Sequence, residues 1–176
     1  EPIAEEIYER FGDSVYAEGE TSIQETVAKI LIDKKVTIAV AESCTGGLVA
    51  AKLIEYPGIS EVLLEGAVTY SNEAKKRRLG VKYETLSAYG AVSAETAAEM
   101  AKGIAMTSGA DIGVSTTGVA GPGPSEGKPE GLVYVGVYMG GKSYVKELHL
   151  AGKRNVIRER AAYSALDFLR RKLILD

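Results

Sequence analysis

The chain carries two hydrophobic patterns, one typical of strands buried on both faces and one typical of amphipathic helices. A continuous β-favouring run at residues 36–41 is typical of a buried strand, and two further strands are predicted over residues 61–71 and 110–118. Elsewhere apolar side chains recur at every third or fourth position, which places them on one face of a helix. The predicted helices occupy residues 22–35, 45–58, 72–80, 92–109 and a long segment that begins at Lys153.

A pair of strands joined by Gly140 and Gly141 follows the third predicted strand. Apolar residues alternate on both sides of this two-glycine turn in GLVYVGVYMGGKSYVKELHL, residues 131–150, which predicts a β-hairpin. Helices that alternate with strands favour a parallel sheet, whereas a hairpin adds antiparallel pairing. We therefore predict an α/β fold, a three-layer α/β/α sandwich around a mixed sheet.

Local signals mark the ends of the predicted helices. Ser22 and Glu25 have the spacing of a capping box, in which each side chain bonds the other residue's backbone N–H. Ser93 is the expected N-cap of the helix after the second strand region. Pro57 and Gly80 each follow a helical pattern and predict its end.

The chain of 176 residues is long enough for one domain with a sizeable core. Residues 1–21 show little periodicity beyond a short amphipathic helix over 2–10, so we predict an N-terminal connector at 1–21 and a single domain at 22–176. The chain begins with Glu1 rather than methionine, which is compatible with a processed protein or with a domain of a longer one.

Composition narrows the classes of function. Hydrophobic residues make up 45% of the chain and charged residues 26%, as in ordinary globular proteins, and the net charge of −3 disfavours nucleic acid as a partner. No apolar run reaches the length of a membrane span and no signal peptide is visible. Cys44 is the single cysteine and one histidine accompanies it, which predicts a cytoplasmic protein with no zinc cluster.

The stretch AVAESCTGGLVAA, residues 39–51, is the first place that could carry chemistry. An apolar strand delivers Ser43 to a sheet edge just before a helix, where free backbone N–H groups can hold a phosphate or an oxyanion. Gly46 and Gly47 leave the backbone open to a ligand. Two interpretations stay open here: Ser43 is a nucleophile, or Ser43 or Thr45 is only a helix cap.

The stretch TYSNEAKKRR, residues 69–78, is the second place that could carry chemistry. With Ser71 as N-cap, Lys75 is the fourth helical position, and Tyr70 before the cap is expected to pack beside it. A lysine near a helix N-terminus experiences positive potential, which lowers its pKa and suits it to act as a base. The alternative is that these basic residues form a solvated cationic face.

The third place is the loop GVAGPGPSEGKPEG, residues 118–131, which follows a strand end. It is long for a loop within one domain, and such loops are often functional. Thr117 and the glycine amides could line the same cavity as Ser43, although a flexible surface connection is the alternative. Arg154, at the start of the last helix, could meet an anion, and Cys44 is more typical of a small buried thiol than of a nucleophile.

Four motifs in this order resemble the CinA C-terminal domain family. They are AESCTGG, TYSNEAK, GAVS and TGVAGP with the following KPEG and VYVGV, and the match runs from about residue 22 to residue 172. Stand-alone members of that family are nicotinamide mononucleotide deamidases, also called PncC. The leading YERFGDSVYAEGE resembles the connector that precedes this domain in two-domain CinA proteins, which implies a possible N-terminal CinA domain.

The resemblance assigns roles where the family's motifs match. It implies Ser43 as the nucleophile, Lys75 as the base and Tyr70 as a supporting group. From the local patterns and the resemblance together, the residues expected to bind substrate are Thr45, Gly46, Gly47, Thr117, Gly118, Gly121 and Arg154. The sequence around Arg154 reads GKR where relatives carry GDR, and the middle of the 118–131 loop also differs.

The implied activity is hydrolysis of the carboxamide of nicotinamide mononucleotide to nicotinate mononucleotide and ammonia. The resemblance implies a serine–lysine amidohydrolase that needs no metal or other cofactor and forms a homo-oligomer, most simply a dimer. The alternative is a non-catalytic nucleotide-binding or interaction module of a two-domain CinA protein, connected with competence or damage. An amidase for another nucleotide or for a pyrrolidone-like amide is a third reading.

Overall fold

The computed structural model describes residues 2–175, in which a five-stranded sheet lies between helices. The strands are β1 (Ile38–Glu42), β2 (Leu63–Val68), β3 (Ile112–Gly118), β4 (Leu132–Met139) and β5 (Lys142–His149). The helices are α1 (Pro2–Phe11), α2 (Ile23–Lys34), α3 (Leu48–Ile54), α4 (Asn72–Leu79), α5 (Tyr83–Tyr89), α6 (Ala94–Ser108) and α7 (Arg154–Leu175).

The sheet has the strand order β2-β1-β3-β4-β5 and is mixed, as predicted. β1 pairs in parallel with β2 and β3, whereas β3, β4 and β5 pair antiparallel. The carboxyl ends of β1, β2 and β3 therefore meet at one edge of the sheet. Ligands of open α/β sheets bind outside the carboxyl ends of the strands, so this edge is where a site is expected.

Both faces of the sheet are covered, which confirms the three-layer prediction. Successive residues of β1 point to opposite faces: Ile38 and Val40 belong to the core packed against α2 and α7, while Ala39 and Ala41 belong to the core against α6. All five residues of β1 are buried. A strand buried on both faces reads as a continuous apolar run, which is why the pattern at 36–41 identified it.

Most predicted helix ends are confirmed. The capping box of Ser22 and Glu25 is present, and the side chain of Ser93 accepts a hydrogen bond from a backbone N–H of α6. Gly80 ends α4 in the left-handed conformation. Two differences stand out: α5 was not predicted, and α3 begins at Leu48 rather than at Thr45.

A close approach of two backbones fixes the position of α4. A Cβ atom at Gly103 of α6 would lie 2.0 Å from the carbonyl oxygen of Leu79, the last residue of α4. Only glycine allows this contact. The helix that carries Lys75 is thereby held against α6.

The N-terminal segment forms a short helix, as expected for residues 2–10. α1 leaves Ile3 and Phe11 largely exposed. Glu1 and Asp176, the outer limits of the predicted connector and domain, lie outside the described residues, and the division at 21/22 stays a prediction. Across residues 2–175, none of the helices combines the length and the apolar character needed to cross a membrane.

Candidate active site

Ser43 lies directly after β1, at the edge where the parallel strands end. Its N–H donates to the carbonyl of Thr116 at 2.9 Å, which extends the β1–β3 ladder by one residue. Its own carbonyl accepts from Gly46 N–H at 3.1 Å, which closes a tight turn. Ser43 is 8% exposed and borders a cavity of about 250 Å³.

The two glycines form the turn into α3 and not its first helical residues. Gly46 and Gly47 have φ values of +62° and +98°, a conformation that L side chains rarely adopt. Within residues 2–175, the lining of the Ser43 cavity includes neither of them. The geometry of the turn accounts for both glycines, and a contact between them and substrate stays a prediction.

The N-terminal amides of α3 are occupied by the carboxylate of Glu42. It accepts hydrogen bonds from the N–H groups of Gly47 at 3.0 Å, Val49 at 3.1 Å and Ala50 at 2.9 Å. The N–H of Gly46 donates to Ser43, as described above. The amides of Gly46 and Gly47 are thus unavailable to an oxyanion, which corrects the expectation from the sequence.

The side chain of Thr45 supports the turn from inside the protein. It is fully buried, and its hydroxyl lies 2.5 Å from a carboxylate oxygen of Glu42 and 2.6 Å from the hydroxyl of Thr116. The single proton of Thr45 goes to the carboxylate, so Thr116 donates to Thr45. The carbonyl of Thr45 accepts from Arg158 of α7 at 3.0 Å. The hydroxyl and the carbonyl of Thr45 are therefore engaged within the protein, and a contact between Thr45 and substrate stays a prediction for its backbone N–H alone.

Lys75 reaches Ser43 from α4. The side chain of Ser71 caps this helix by accepting from the N–H of Ala74, so Lys75 is the fourth helical residue, as predicted. Its Nζ lies 3.1 Å from Ser43 Oγ, although the two residues are 32 positions apart. It also donates to the carbonyls of Thr69 at 3.0 Å and Tyr70 at 3.3 Å. Lys75 is only 1% exposed.

Burial disfavours the charged form of Lys75. Loss of solvation lowers the pKa of Lys75 from its ordinary value of 10.5, and the neighbouring Cys44 and the negative charge of Glu126 partly offset this shift. The sequence predicted the direction but gave a different cause, the positive end of the helix. Burial also raises the pKa of Cys44 to about 12, so the neighbouring thiol is uncharged at pH 7. Cys44 is a buried free cysteine, as expected.

Tyr70 and Arg154 meet at the mouth of the cavity. The guanidinium of Arg154 donates to the Tyr70 hydroxyl at 3.1 Å and to the carbonyl of Gly121. The Tyr70 side chain is 62% exposed, and its hydrogen bond with Lys75 uses the main-chain carbonyl. The phenol is therefore partnered with Arg154 rather than with the lysine beside which it was predicted to pack.

The loop after β3 borders the cavity and is firmly attached. Thr117 and Gly118 line the cavity, and the Thr117 hydroxyl donates to the carbonyl of Ala91 at 2.7 Å. Glu126 accepts from the N–H of Ala91 at 3.0 Å, and Lys128 Nζ donates to the carbonyl of Val92 at 2.7 Å. These hydrogen bonds connect the loop to Ala91 and Val92, just before α6.

Across residues 2–175, Gly121, a residue of that loop that was predicted to bind substrate, does not line the cavity. Its part is to present a carbonyl to Arg154. Its φ of +78° and the nearby Glu130 carboxylate, which a Cβ would overlap, require glycine. A contact between Gly121 and substrate stays a prediction.

The cavity combines charges of both signs. Lys75 and Arg154 are its basic lining residues and Glu126 its acidic one. Within residues 2–175, no group of three His, Cys, Asp or Glu residues is arranged to hold a metal ion. The chemistry available to this site is a hydroxyl next to a buried amine, with an exposed guanidinium at the entrance.

Sequence reasoning missed Glu42, Asn72 and Glu126. Asn72 and Glu126 line the cavity from the start of α4 and from the middle of the loop. For Glu42 a signal was present, because a glutamate that ends an otherwise apolar buried strand must find hydrogen-bond donors. For Glu126 there was none, since an acidic residue in a glycine- and proline-rich loop is usually solvated.

Comparison with known proteins supports the resemblance seen in the motifs. The family model of the CinA C-terminal domain matches residues 20–173. Competence-damage inducible proteins of Clostridium acetobutylicum and Clostridium botulinum are 58% and 60% identical to the chain over 175 and 173 residues. These alignments cover 99% and 98% of this chain but only 43% and 42% of the relatives, so the chain spans about two-fifths of their length.

Solved structures share the fold. A CinA superfamily protein from Klebsiella pneumoniae superposes with a TM-score of 0.85 at 34% identity, over 88% of this chain and 97% of that one. A competence/damage inducible protein from Agrobacterium tumefaciens gives a TM-score of 0.79 at 38% identity, over 90% and 99% of the two chains. Sequence, fold and family model agree, and the chain belongs to the CinA C-terminal domain family.

Proposed function

We propose that the protein is an amidohydrolase that converts nicotinamide mononucleotide to nicotinate mononucleotide and ammonia. The observation that carries the proposal is the 3.1 Å contact between Lys75 Nζ and Ser43 Oγ beside a cavity. A serine hydroxyl is a weak nucleophile until a neighbouring base takes its proton. A buried lysine with a lowered pKa is such a base.

Counting protons shows why a neutral Lys75 suits this role. A neutral amine has two N–H groups and one lone pair. Carbonyl oxygens only accept, so the carbonyls of Thr69 and Tyr70 take the two N–H groups. The lone pair then faces Ser43 Oγ and accepts its proton.

The reaction follows as two acyl transfers. Ser43 Oγ bonds to the carboxamide carbon while its proton passes to Lys75 Nζ. The carbon–nitrogen bond then breaks, and ammonia leaves with the proton returned by Lys75. Water next attacks the ester, gives one proton to Lys75 and releases the carboxylate product, after which the proton returns to Ser43 Oγ. Tyr70, through its carbonyl, holds the amine during each transfer.

The developing oxyanion needs donors other than the amides of the two glycines. Within residues 2–175, the backbone N–H groups of Cys44 and Thr45 donate to no oxygen atom and lie close to the Cys44 sulfur, and Cys44 borders the cavity. We assign the oxyanion to these amides, which follow the nucleophile directly. Each well-placed donor of this kind lowers the barrier by about 3 kcal/mol.

The phosphate of the nucleotide fits the other end of the cavity. Arg154 is its exposed basic residue, and two hydrogen bonds, to Tyr70 and Gly121, hold its guanidinium at the entrance. Arginine binds phosphate through a planar set of donors. Gly118 and Thr117 form part of the wall between this entrance and Ser43.

Ammonia release from nicotinamide mononucleotide tests the proposal directly. We expect turnover by the unmodified protein and none above background for Ser43→Ala or Lys75→Met, while both variants still bind the nucleotide by calorimetry. Binding without turnover by the unmodified protein would favour the interaction-module alternative. Turnover by Ser43→Ala would exclude a serine ester.

A further inference from the structure

Glu42 is buried next to the nucleophile, and the mechanism above does not use it. It ends β1, immediately before Ser43, and is 1% exposed. Burying a carboxylate is costly unless hydrogen bonds replace the water that it loses. The hydrogen bonds around the Glu42 carboxylate therefore indicate its role in the structure.

Four donors converge on this one carboxylate. The Thr45 hydroxyl, the Gly47 N–H and the Val49 N–H share one oxygen, and the Ala50 N–H donates to the other. These donors span the whole turn after Ser43 and the first turn of α3. The carboxylate thus sets both where α3 begins and how the intervening turn is shaped.

We infer that Glu42 is a positioning residue, which holds the 43–47 turn so that Ser43 Oγ points at Lys75 Nζ. The inference rests on the proposed function. By occupying the amides that open α3, Glu42 also leaves the Cys44 and Thr45 amides as the donors nearest the nucleophile. The carboxylate acts through the turn and touches neither substrate nor the reacting atoms.

Glu42→Gln is the sharpest change available. Glutamine keeps one acceptor oxygen and the same shape, but it places an NH₂ group, a donor, among four donors. At least one hydrogen bond of the turn must break, and Ser43 shifts relative to Lys75. A displacement of about 1 Å at a reacting group can cost about 10²-fold in rate.

The matched control is Glu25→Gln. Glu25 is also a glutamate at a helix start, where it accepts from the N–H of Ser22 at 2.9 Å, but it lies in α2 and is exposed. Both substitutions remove one carboxylate from a helix N-terminus. Only Glu42→Gln is expected to lower kcat, with the dissociation constant of the nucleotide unchanged.

A purely structural role predicts another pattern. In that case Glu42→Gln lowers the melting temperature, while kcat per folded molecule equals that of the unmodified protein, and the inference is overturned. If Glu42→Gln does not fold, Thr45→Val removes one of the four donors at constant shape. A lowered kcat for Thr45→Val supports the inference, and an unchanged kcat overturns it.

A reagent that reacts with the serine separates this inference from the proposed substrate. A fluorophosphonate is attacked by Ser43 Oγ, and an oxygen–phosphorus bond forms as fluoride leaves. If the unmodified protein is labelled but leaves nicotinamide mononucleotide intact, the substrate is wrong, and slower labelling of Glu42→Gln still supports the inference. If the unmodified protein is neither labelled nor active, the covalent mechanism and this inference fall together.

Discussion

The carbonyl oxygen of Glu42 accepts a hydrogen bond from the N–H of Thr69 at 2.8 Å. Glu42 is bonded covalently to Ser43, and the carbonyl of Thr69 accepts from Lys75 Nζ at 3.0 Å. One main-chain hydrogen bond between β1 and the end of β2 therefore sets the separation of the hydroxyl and the amine. The pair is assembled before a substrate arrives, which removes an ordering cost from the reaction.

The rate should depend on pH through Lys75. The free amine is the reactive form, so kcat/KM is expected to rise with pH until Lys75 has lost its proton and then to level off. Because burial lowers the pKa of Lys75, the midpoint of this rise lies below 10.5. A rate profile across pH 5 to 10, at constant ionic strength, measures the midpoint.

The neighbouring lysine provides the control for this profile. Lys76 pairs with Glu73 at 2.5 Å on the surface of α4. We expect Lys76→Arg to keep the midpoint of the unmodified protein and Lys75→Arg to lack activity, since an arginine stays protonated throughout this range. A profile that is flat down to pH 5 would contradict a lysine base.

Stability should depend on pH through the same group, with a defined sign. The folded state disfavours the charged amine, so between the folded-state pKa of Lys75 and 10.5 the unfolded chain binds more protons. The free energy of unfolding therefore rises with pH across that window, by about 1.4 kcal/mol for each unit of pKa lowering. Lys75→Met should lose this slope.

Thermal unfolding at several pH values measures this effect. The melting temperature of Lys75→Met, relative to the unmodified protein, is expected to be highest below the folded-state pKa and to fall as pH approaches 10.5. Other titrating groups cancel in this difference. Lys76→Met removes an exposed lysine of the same helix and serves as the control for the loss of a lysine side chain. A constant difference for Lys75→Met would show that its amine titrates alike in both states.

Much of this fold could be predicted, because the patterns that encode it are local. The apolar run of β1, the capping box of Ser22 and Glu25 and the Gly140-Gly141 turn each act over a few residues, and the structure confirms all of them. α5 was missed because its seven residues, Tyr83–Tyr89, bury only Thr85 fully. A helix so short has no clear apolar face to read.

The site was predictable in part, for a physical reason. Ser43 and Lys75 stand out because parallel strands bring their ends to one edge. That the amide of Gly47 is occupied could not be predicted, because its acceptor is a third residue, Glu42, whose side chain folds back under the turn. Such side-chain paths leave no periodic signal in a sequence.

The negative charge of Glu126 should raise the pKa of Lys75. Its negative charge raises the pKa of Lys75 against the effect of burial, so Glu126→Gln is expected to move the midpoint of the kcat/KM profile to lower pH. Glu130→Gln is the control, because Glu130 belongs to the same loop and accepts from Gly123 N–H at 2.5 Å. A midpoint that shifts equally in both variants would point to the loop and not to the charge at Glu126.

The contact between Tyr70 and Arg154 should appear as coupling between substitutions. Tyr70→Phe removes the hydroxyl that accepts from Arg154 at 3.1 Å, and Arg154→Met removes the donor. Each change is expected to lower kcat/KM for the nucleotide, the arginine change more, since the guanidinium is proposed to bind phosphate. Because the two groups act as one unit, kcat/KM of the double variant should fall by a smaller factor than the product of the factors for the two single variants.

Arg160 allows a matched cycle at a site outside the cavity. It lies farther along α7 and donates to the carbonyl of Ala151 at 2.7 Å. When Tyr70→Phe is combined with Arg160→Met, kcat/KM should change by the product of the two single factors. For Tyr70 and Arg154, a coupling of about 0.5–3 kcal/mol is typical of residues in contact. If the factors for Tyr70→Phe and Arg154→Met also multiply, the Tyr70 hydroxyl acts independently of Arg154. Its contact at the cavity mouth then does not order the guanidinium for phosphate binding.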